Sequence, residues 1–219
     1  MAKLTTVERR SSVDTVVDSL REGIIRGDMA PGERITEMEL ASGLGIGRST
    51  VRTALLELET DELVVRKPYS AWAVSGITET RIREIYSLRG ALEELAIGLL
   101  VQRLGDAERS KLDDAFAMLG RAERGEVDRT DADLHFHRTI VQMSGHSKLI
   151  KVYQSLLLQV EWIYRWSERR KPSSIDLVEW HRPIYDGLVE GDAKTAIQAT
   201  RRNYASASSA DLGSFTPTT

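Results

Sequence analysis

The stretch Glu39-Leu-Ala-Ser-Gly-Leu-Gly-Ile-Gly-Arg-Ser-Thr-Val-Arg-Thr-Ala-Leu55 decides the fold of the first part of this chain. Apolar residues at helical spacing stand on both sides of a glycine-rich break. Glycine permits the backbone that a tight turn between two steeply crossing helices needs. The pattern therefore predicts a helix-turn-helix, with one helix over 37–44 and a second over 49–58 that has Ser49 as its N-cap.

The flanking sequence extends this unit in both directions. Apolar residues from Val13 to Ile25 recur at helical spacing, and Gly27-Asp28 and Pro31-Gly32 end that helix. Residues 63–67 and 71–75 are rich in β-branched and apolar residues around Pro68-Tyr-Ser, which indicates a β-hairpin. These are the only strands that the sequence predicts. Three short helices followed by a hairpin describe a winged helix-turn-helix domain over residues 1–76.

After Gly76 the pattern becomes entirely helical. Helical periodicity covers about 78–104, 106–124, 131–144, 147–169, 174–190 and 192–208, with glycine-containing turns between several of these stretches. Thr78 is the expected cap of the first stretch, and the Ser-, Thr- and Gly-rich tail from Ser206 is expected to fray. The fold class is thus mainly α: a winged helix-turn-helix, then an all-α antiparallel bundle of about six helices over residues 77–219.

Composition excludes several classes of protein. The 219 residues carry a net charge of −3, so no global basic field marks a nucleic-acid partner. The absence of cysteine excludes disulfides, thiolate zinc sites and cysteine nucleophiles. No apolar run approaches the roughly 18 residues of a transmembrane helix, and the N-terminus lacks the apolar core of a signal peptide. We therefore expect a cytoplasmic protein with no membrane partner.

The second helix of the helix-turn-helix presents a candidate DNA-reading surface. Between Leu40 and Leu56 the only charged residues are Arg48 and Arg52, and Ser49 and Thr50 lie beside them. Such positions enter the major groove, where arginine reads guanine and hydroxyls hold phosphate. The alternative is a small helical domain with a solvated arginine face.

A second candidate site lies in Thr130-Asp-Ala-Asp-Leu-His-Phe-His137. Asp133 and His137 are four residues apart and share a helix face, whereas His135 points about 200° away. A carboxylate and an imidazole at this spacing make half of a metal site. Two alternatives stay open: a capping box in which Asp133 bonds back to Thr130, and a structural core histidine.

Residues 16–74 resemble the DNA-binding domain of the GntR family of bacterial transcription regulators. The resemblance rests on Leu20-Arg-Glu-Gly-Ile-Ile-Arg-Gly27, Pro31-Gly-Glu-Arg34, Glu39-Leu-Ala41, Gly45-Ile-Gly-Arg-Ser-Thr-Val-Arg52 and Ala54-Leu-x-x-Leu-Glu59. It implies DNA contacts by Arg48, Ser49, Thr50 and Arg52, with Lys67 at the wing. The chain departs from the family at Glu62 and near Ser70-Ala71, where glycines are usual, and at Met38, where some members have an arginine.

From Thr78 to about Ala205 the chain resembles the FCD ligand-binding domain of the FadR subfamily. The matching segments are Ile85-Tyr-Ser-Leu-Arg-Gly-Ala-Leu-Glu93, Asp133-x-x-Phe-His137, Ser144-Gly-His-x-x-Leu149, Glu179-Trp-His181 and Leu188-x-x-Gly-Asp-Ala193. The resemblance implies a divalent metal, zinc or nickel, held by Asp133, His137 and His181. The family's last histidine is replaced by Asn203, which implies either a weaker fourth metal ligand or an effector contact.

Arg89 matches an arginine that faces the cavity in similar domains, where it can pair with an effector carboxylate. The alternative is a surface arginine paired with Glu93 at i+4. Among the remaining residues, His146 is expected at the surface. Trp162, Tyr164 and Trp166 are expected in the core or a dimer interface, with at most one lining the pocket.

These observations predict a transcription regulator rather than an enzyme. We expect a homodimer on a pseudo-palindromic double-stranded operator, acting as a repressor that a small carboxylic acid releases. Two alternatives remain: a constitutive DNA-binding protein with a degenerate cavity, and a metal-dependent enzyme with an accessory DNA module.

Overall fold

The computed structural model of the chain describes residues 12–68, 71–170 and 174–214. The described residues form two compact units, and the chain passes from the first to the second between Gly76 and Ile77. The predicted wing-tip position Ser70 lies outside the described residues. Among the helices of the described segments, none has the length and apolar character that crossing a bilayer requires.

Three helices and a small sheet form the described part of the first unit. They are α1 (Ser12–Arg26), β1 (Arg34–Ile35), α2 (Glu37–Leu44), α3 (Arg48–Thr60), β2 (Val64–Lys67) and β3 (Ala71–Val74). Helix α3 packs on α1 and α2 through Val51, Ala54, Leu55 and Leu58, none of which is exposed. Because these positions follow the helical period, the opposite face of α3 is left to solvent.

The turn between α2 and α3 depends on a glycine, as predicted. Gly45 takes the left-handed conformation (φ 65°, ψ 32°), and its amide donates to the carbonyl of Ala41, which ends α2. Helix α3 begins at Arg48, so Gly47 is its N-cap and makes no side-chain cap hydrogen bond. The prediction that Ser49 caps this helix is therefore wrong, because the helix begins two residues earlier than a cap at Ser49 requires.

The strands form an antiparallel sheet in the order β1-β3-β2. The predicted hairpin pairs Val64 with Val74 and Lys67 with Ala71. Strand β1 pairs with β3 on the side opposite β2, and the sequence did not predict it. Two residues are too few to show the alternation of a strand, so only the paired partner reveals it.

In its described residues the second unit is an antiparallel bundle of six helices. They are α4 (Glu79–Val101), α5 (Asp106–Glu123), α6 (Arg129–Met143), α7 (Ser147–Arg170), α8 (Leu177–Val189) and α9 (Ala193–Ser214). Thr78 caps α4 as predicted, since its side chain accepts from the amide of Arg81. Helix α9 packs on α4 and α8, and α4 also packs on α6 and α7. One apolar core runs between the helices.

Two predictions for helix ends are wrong. Helix α6 begins at Arg129 with Asp128 as its N-cap, so Thr130 lies inside the helix and forms no capping box with Asp133. Helix α9 continues to Ser214 instead of fraying at Ser206. Tertiary contact outweighs the weak helix propensity of that tail, because Tyr86 donates a buried 2.5 Å hydrogen bond to Asp211.

Helices α8 and α9 approach each other closely at Gly187. A Cβ atom on this residue would lie 2.7 Å from the backbone nitrogen of Ala196 and 3.0 Å from its Cα. Those distances are shorter than ordinary contact, so only glycine allows the approach. The close approach holds α8, which carries His181, against α9, which carries Asn203.

Candidate DNA-reading surface and metal centre

The predicted DNA contacts on α3 lie on its solvent face. Arg48 and Arg52 have side chains 66% and 57% exposed, Ser49 is exposed, and Thr50 is half-buried. Lys67 is exposed at the end of β2, on a separate element of the same unit. The fold thus exposes two arginine side chains and a hydroxyl of α3 to solvent, where an external partner can reach them.

A carboxylate that the sequence pattern did not predict contacts both arginines. Glu37, the first residue of α2, is only 7% exposed and lies beneath the start of α3. Its Oε1 accepts from Nε of Arg52 at 2.8 Å and from Nε1 of Trp72 at 3.3 Å. Its Oε2 accepts from Nη2 of Arg52 at 2.8 Å and lies 3.6 Å from Nη2 of Arg48. Nothing in the sequence indicated that Glu37 is buried, because an acidic residue at the start of a short helix is ordinarily exposed.

In the second unit, α6 and α8 bring three candidate metal ligands together. Nε2 of His181 lies 3.0 Å from Oδ1 of Asp133 and 3.1 Å from Nε2 of His137. Nδ2 of Asn203, on α9, lies 3.2 Å from the same nitrogen. All four side chains are buried. Asp133 and His137 are the pair predicted from spacing, and the resemblance to the FCD domain implied His181 as a third ligand and Asn203 as a fourth ligand or an effector contact.

The outer hydrogen bonds of the two imidazoles fix their tautomers. Nδ1 of His137 donates to Oε2 of Glu93 at 2.6 Å, and Nδ1 of His181 donates to the carbonyl of Leu177 at 2.7 Å. Each ring therefore directs the lone pair of Nε2 toward the other ring and toward Asp133. Burial lowers the pKa of His137, which favours its neutral, ligating form.

A divalent cation fits this set of donors. A tetrahedral zinc with bonds of about 2.0–2.2 Å holds neighbouring ligand atoms about 3.3 Å apart, close to the 3.0–3.2 Å seen around His181. A proton on Nε2 of His181 would be directed at only one of its three polar neighbours. If the amide of Asn203 turns over, its oxygen faces the site in place of the nitrogen. The residues present thus supply two nitrogens and one or two oxygens.

A buried ion-pair network on α4 contacts the candidate metal site. Nε of Arg89 donates to Oε1 of Glu93 at 3.0 Å, and the hydroxyl of Tyr153 donates to the same oxygen at 2.6 Å. Sequence analysis left open whether Arg89 was a surface residue, and the structure buries it to 1% exposure. The i+4 partner Glu93 was anticipated, but its contact with His137 was missed. The sequence did carry a sign of this contact, because Arg89 and Glu93 interrupt the apolar stripe of α4 at core positions.

Arg89 has one donor atom left over. Its Nη2 is buried without a hydrogen-bond partner among the described residues, and lies 3.9 Å from Oδ2 of Asp133. Burial raises the pKa of Asp133, but His181, then His137 and then Arg89 lower it, so that it lies well below its ordinary value. A buried, charged and unpartnered donor is costly unless something else binds it.

Arg89 and Asp133 both line one cavity of about 220 Å³, whereas His137 and His181 lie behind its wall. Its wall includes Arg89, Asp133 and Asn203, together with Tyr164, Trp180 and Asp211. Of the three aromatics considered on α7, Tyr164 lines the cavity, while Trp162 is buried in the core. The wall therefore combines the guanidinium of Arg89, which is already hydrogen-bonded to Glu93, with aromatic rings and with the carboxyl groups of Asp133, Glu168 and Asp211.

The remaining histidines lie away from this site. His135 is half-buried, and its Nδ1 lies 3.4 Å from Nη2 of Arg138. His146 is exposed and accepts from the amide of Leu149 at the start of α7. The helical-period argument that separated His135 from His137 is confirmed.

Comparison with known proteins agrees with this architecture. Residues 12–74 match "Bacterial regulatory proteins, gntR family", and residues 84–206, more than half of the chain, match the FCD domain. An uncharacterized HTH-type transcriptional regulator of Streptomyces ambofaciens is 28% identical over 83% of this chain and 77% of its own length. A probable D-xylose utilization operon transcriptional repressor of Paenarthrobacter nicotinovorans is 26% identical over 92% of this chain and 91% of its own.

A solved structure of a transcriptional regulator from Rhodococcus has the same fold. It superposes with a TM-score of 0.76 over 94% of this chain and all of its own, at 23% identity. These matches are to regulators and not to enzymes, so the alternative of a metal-dependent enzyme is set aside. The chain belongs to the GntR family of DNA-binding transcription regulators, with an FCD domain as its second unit.

Proposed function

We propose that this regulator binds a pseudo-palindromic operator as a homodimer and is released by a small carboxylic acid that enters the cavity of the second unit. The observation that carries the proposal is the buried Nη2 of Arg89, which has no hydrogen-bond partner among the described residues and lines a cavity together with Asp133. The ligand atom of Asp133 converges with those of His137 and His181. Because its target is bacterial DNA, the protein acts in the cytoplasm.

The DNA side of the proposal rests on α3. Arg48 and Arg52 are placed to contact bases, while Ser49 and Thr50 are placed to contact phosphate or base edges. Lys67 is assigned a backbone contact from the wing. The exposure of these side chains on one unit supports the assignment.

The dimer proposal rests on two requirements. One helix-turn-helix reads one half-site, so two copies are needed to read both halves. Helix α4 also carries Leu88 and Leu95, which are 45% and 49% exposed and lie seven residues apart on one face with Ala91 between them. A second copy of the chain covering this stripe would remove it from water.

The effector proposal assigns a role to each side chain at the cavity. Asp133, His137 and His181 would hold a zinc or nickel ion, with Asn203 as a weak oxygen ligand or an effector contact. When bound, the ion supplies positive charge for one oxygen of the acid. Arg89 would donate from Nη2 to the other oxygen, which satisfies its unpartnered hydrogen. Glu93 orients both Arg89 and His137 and so connects the two halves of the site.

We assign the sign of regulation as repression. One relative is named a probable operon repressor, and release by a ligand requires only that the acid bind the form with low DNA affinity better. A coupling of about 1–3 kcal/mol between the two sites would change operator affinity by about 5- to 150-fold.

Thermal shift with a panel of acids and their neutral amides tests the proposal. One acid should raise the unfolding temperature of the zinc-loaded protein and weaken its operator binding, whereas the matching amide should do neither. Arg89→Gln keeps a hydrogen bond to Glu93 and should abolish both effects. An amide that works as well as its acid, or an unaffected Arg89→Gln protein, would refute the assigned roles. Operator binding that no acid changes would favour constitutive binding with a degenerate cavity.

A further inference from the structure

The contacts of Glu37 determine which hydrogens Arg52 can offer to DNA. A guanidinium has five N–H donors, and Glu37 takes one from Nε and one from Nη2 along the side edge of the group. Three hydrogens remain, and two of them, one from each Nη, form the fork at the end of the side chain. That end is exposed to solvent, since 57% of the Arg52 side chain is accessible.

Glu37 is itself firmly held. It is 7% exposed at the start of α2, and Trp72 of β3 donates to Oε1, the oxygen that also accepts from Nε of Arg52. The hydrogen bond from Arg52 lowers the pKa of Glu37 to about 2, against the burial that would raise it, so the carboxylate stays charged. A fixed carboxylate that accepts two hydrogen bonds from one edge of a guanidinium restricts the rotamers that a solvent-exposed arginine would otherwise sample.

We infer that Glu37 is the positioning residue that makes Arg52 a guanine reader, by clamping its side edge and presenting its end fork to O6 and N7 in the major groove. The inference rests on the proposed DNA contacts and goes beyond them. Glu37 touches no DNA in this account, and its negative charge weakens general attraction to phosphate. It therefore lowers non-specific affinity while raising specific affinity.

These opposite effects on specific and non-specific affinity distinguish a positioning role from two simpler roles, maintaining the fold and acting only by charge. A residue that only maintains the fold would, when replaced, lower specific and non-specific affinity together. A residue that acted only by charge would, when replaced, raise both. Only a positioning residue makes the two affinities change in opposite directions.

The test uses the full-length chain and a double-stranded DNA library with 20 randomised base pairs. The wild-type protein should enrich a palindromic sequence with a guanine in each half-site. Glu37→Gln should lose that guanine preference, as should Arg52→Lys, which keeps the charge but not the fork. Glu37→Gln should bind the enriched sequence at least tenfold more weakly and a scrambled duplex equally or more tightly. Glu57→Gln removes the same charge from the exposed face of α3 and serves as the matched control; it should keep the preference.

Circular dichroism and thermal unfolding establish that the variants are folded. A Glu37→Gln protein that enriches the same guanine as strongly as the wild type overturns the inference. So does a parallel loss, or a parallel gain, of affinity for the enriched and scrambled duplexes. If the wild-type chain enriches no sequence, the proposed operator binding fails, and the inference fails with it.

Discussion

Replacing Asp211 with asparagine should change how the stability of the protein depends on pH. Burial raises the pKa of Asp211 from 3.8 to about 6, although Tyr86 donates to it. The folded chain thus binds a proton at pH values where the unfolded chain has lost it. The contribution of Asp211 to the free energy of unfolding therefore rises as the pH falls from about 7 toward 4. At neutral pH the buried charged carboxylate destabilises the folded protein. Asparagine can accept the hydrogen bond of Tyr86 without carrying that charge.

The size of the effect follows from the two pKa values. The difference of about 2 pH units corresponds to about 3 kcal/mol over the full range. Between pH 7.5 and pH 5.0 the protonation of Asp211 contributes about 1.4 kcal/mol of this. Asp211→Asn lacks that contribution, so its free energy of unfolding relative to the wild type should fall by about 1.4 kcal/mol over this interval.

Urea unfolding at the two pH values measures this difference. Asp113→Asn is the matched control, because Tyr185 donates to Asp113 at 2.7 Å in the same way but on the surface. Its stability relative to the wild type should differ by less than about 0.5 kcal/mol between the two pH values. A relative stability of Asp211→Asn that stays constant, or that rises toward acid pH, would refute the reasoning.

Four further predictions concern packing, metal affinity, assembly and backbone strain. Gly187→Ala forces apart α8 and α9 and should lower the unfolding free energy by about 1–3 kcal/mol, whereas Gly120→Ala, which meets only ordinary contacts, should not. Asn203→His should tighten zinc binding at least about tenfold in a chelator competition; unchanged affinity would remove residue 203 from the site. Leu95→Glu should convert the dimer to a folded monomer in sedimentation experiments, and a persisting dimer would disprove the α4 interface. Glu62, with φ 59°, is in the left-handed region, so Glu62→Gly should stabilise by about 1 kcal/mol in thermal unfolding; a loss of stability would contradict this.

Local patterns predicted the architecture because the relevant physics is local. The helical period located the helices, and glycine at position 45 marked the turn of the helix-turn-helix, where the backbone is left-handed. The same period separated His135 from Asp133 and His137. Where tertiary contacts decide, the prediction was wrong: the end of α9 is held by Tyr86 and Asp211, 125 residues apart in the chain.

The candidate metal site was predicted only in part, for the same reason. The pair on α6 follows from spacing, but its completion by α8 and α9 came from resemblance to a family and not from periodicity. The partners that orient the ligands, Glu93 and the carbonyl of Leu177, lie 44 and 4 residues from the histidines they contact. Glu37 was missed because its importance comes from burial, and a single acidic residue at a helix start ordinarily faces water.

Elemental analysis of the purified full-length protein tests the proposal that Asp133, His137 and His181 form a metal site beside Arg89. We expect about one zinc or nickel ion per chain in the wild type. His181→Ala should lose that metal, while His135→Ala, which changes a histidine of the same unit outside the site, should keep it. A wild-type protein that binds no transition metal even after incubation with zinc, or a His181→Ala protein that binds as much as the wild type, would contradict the account.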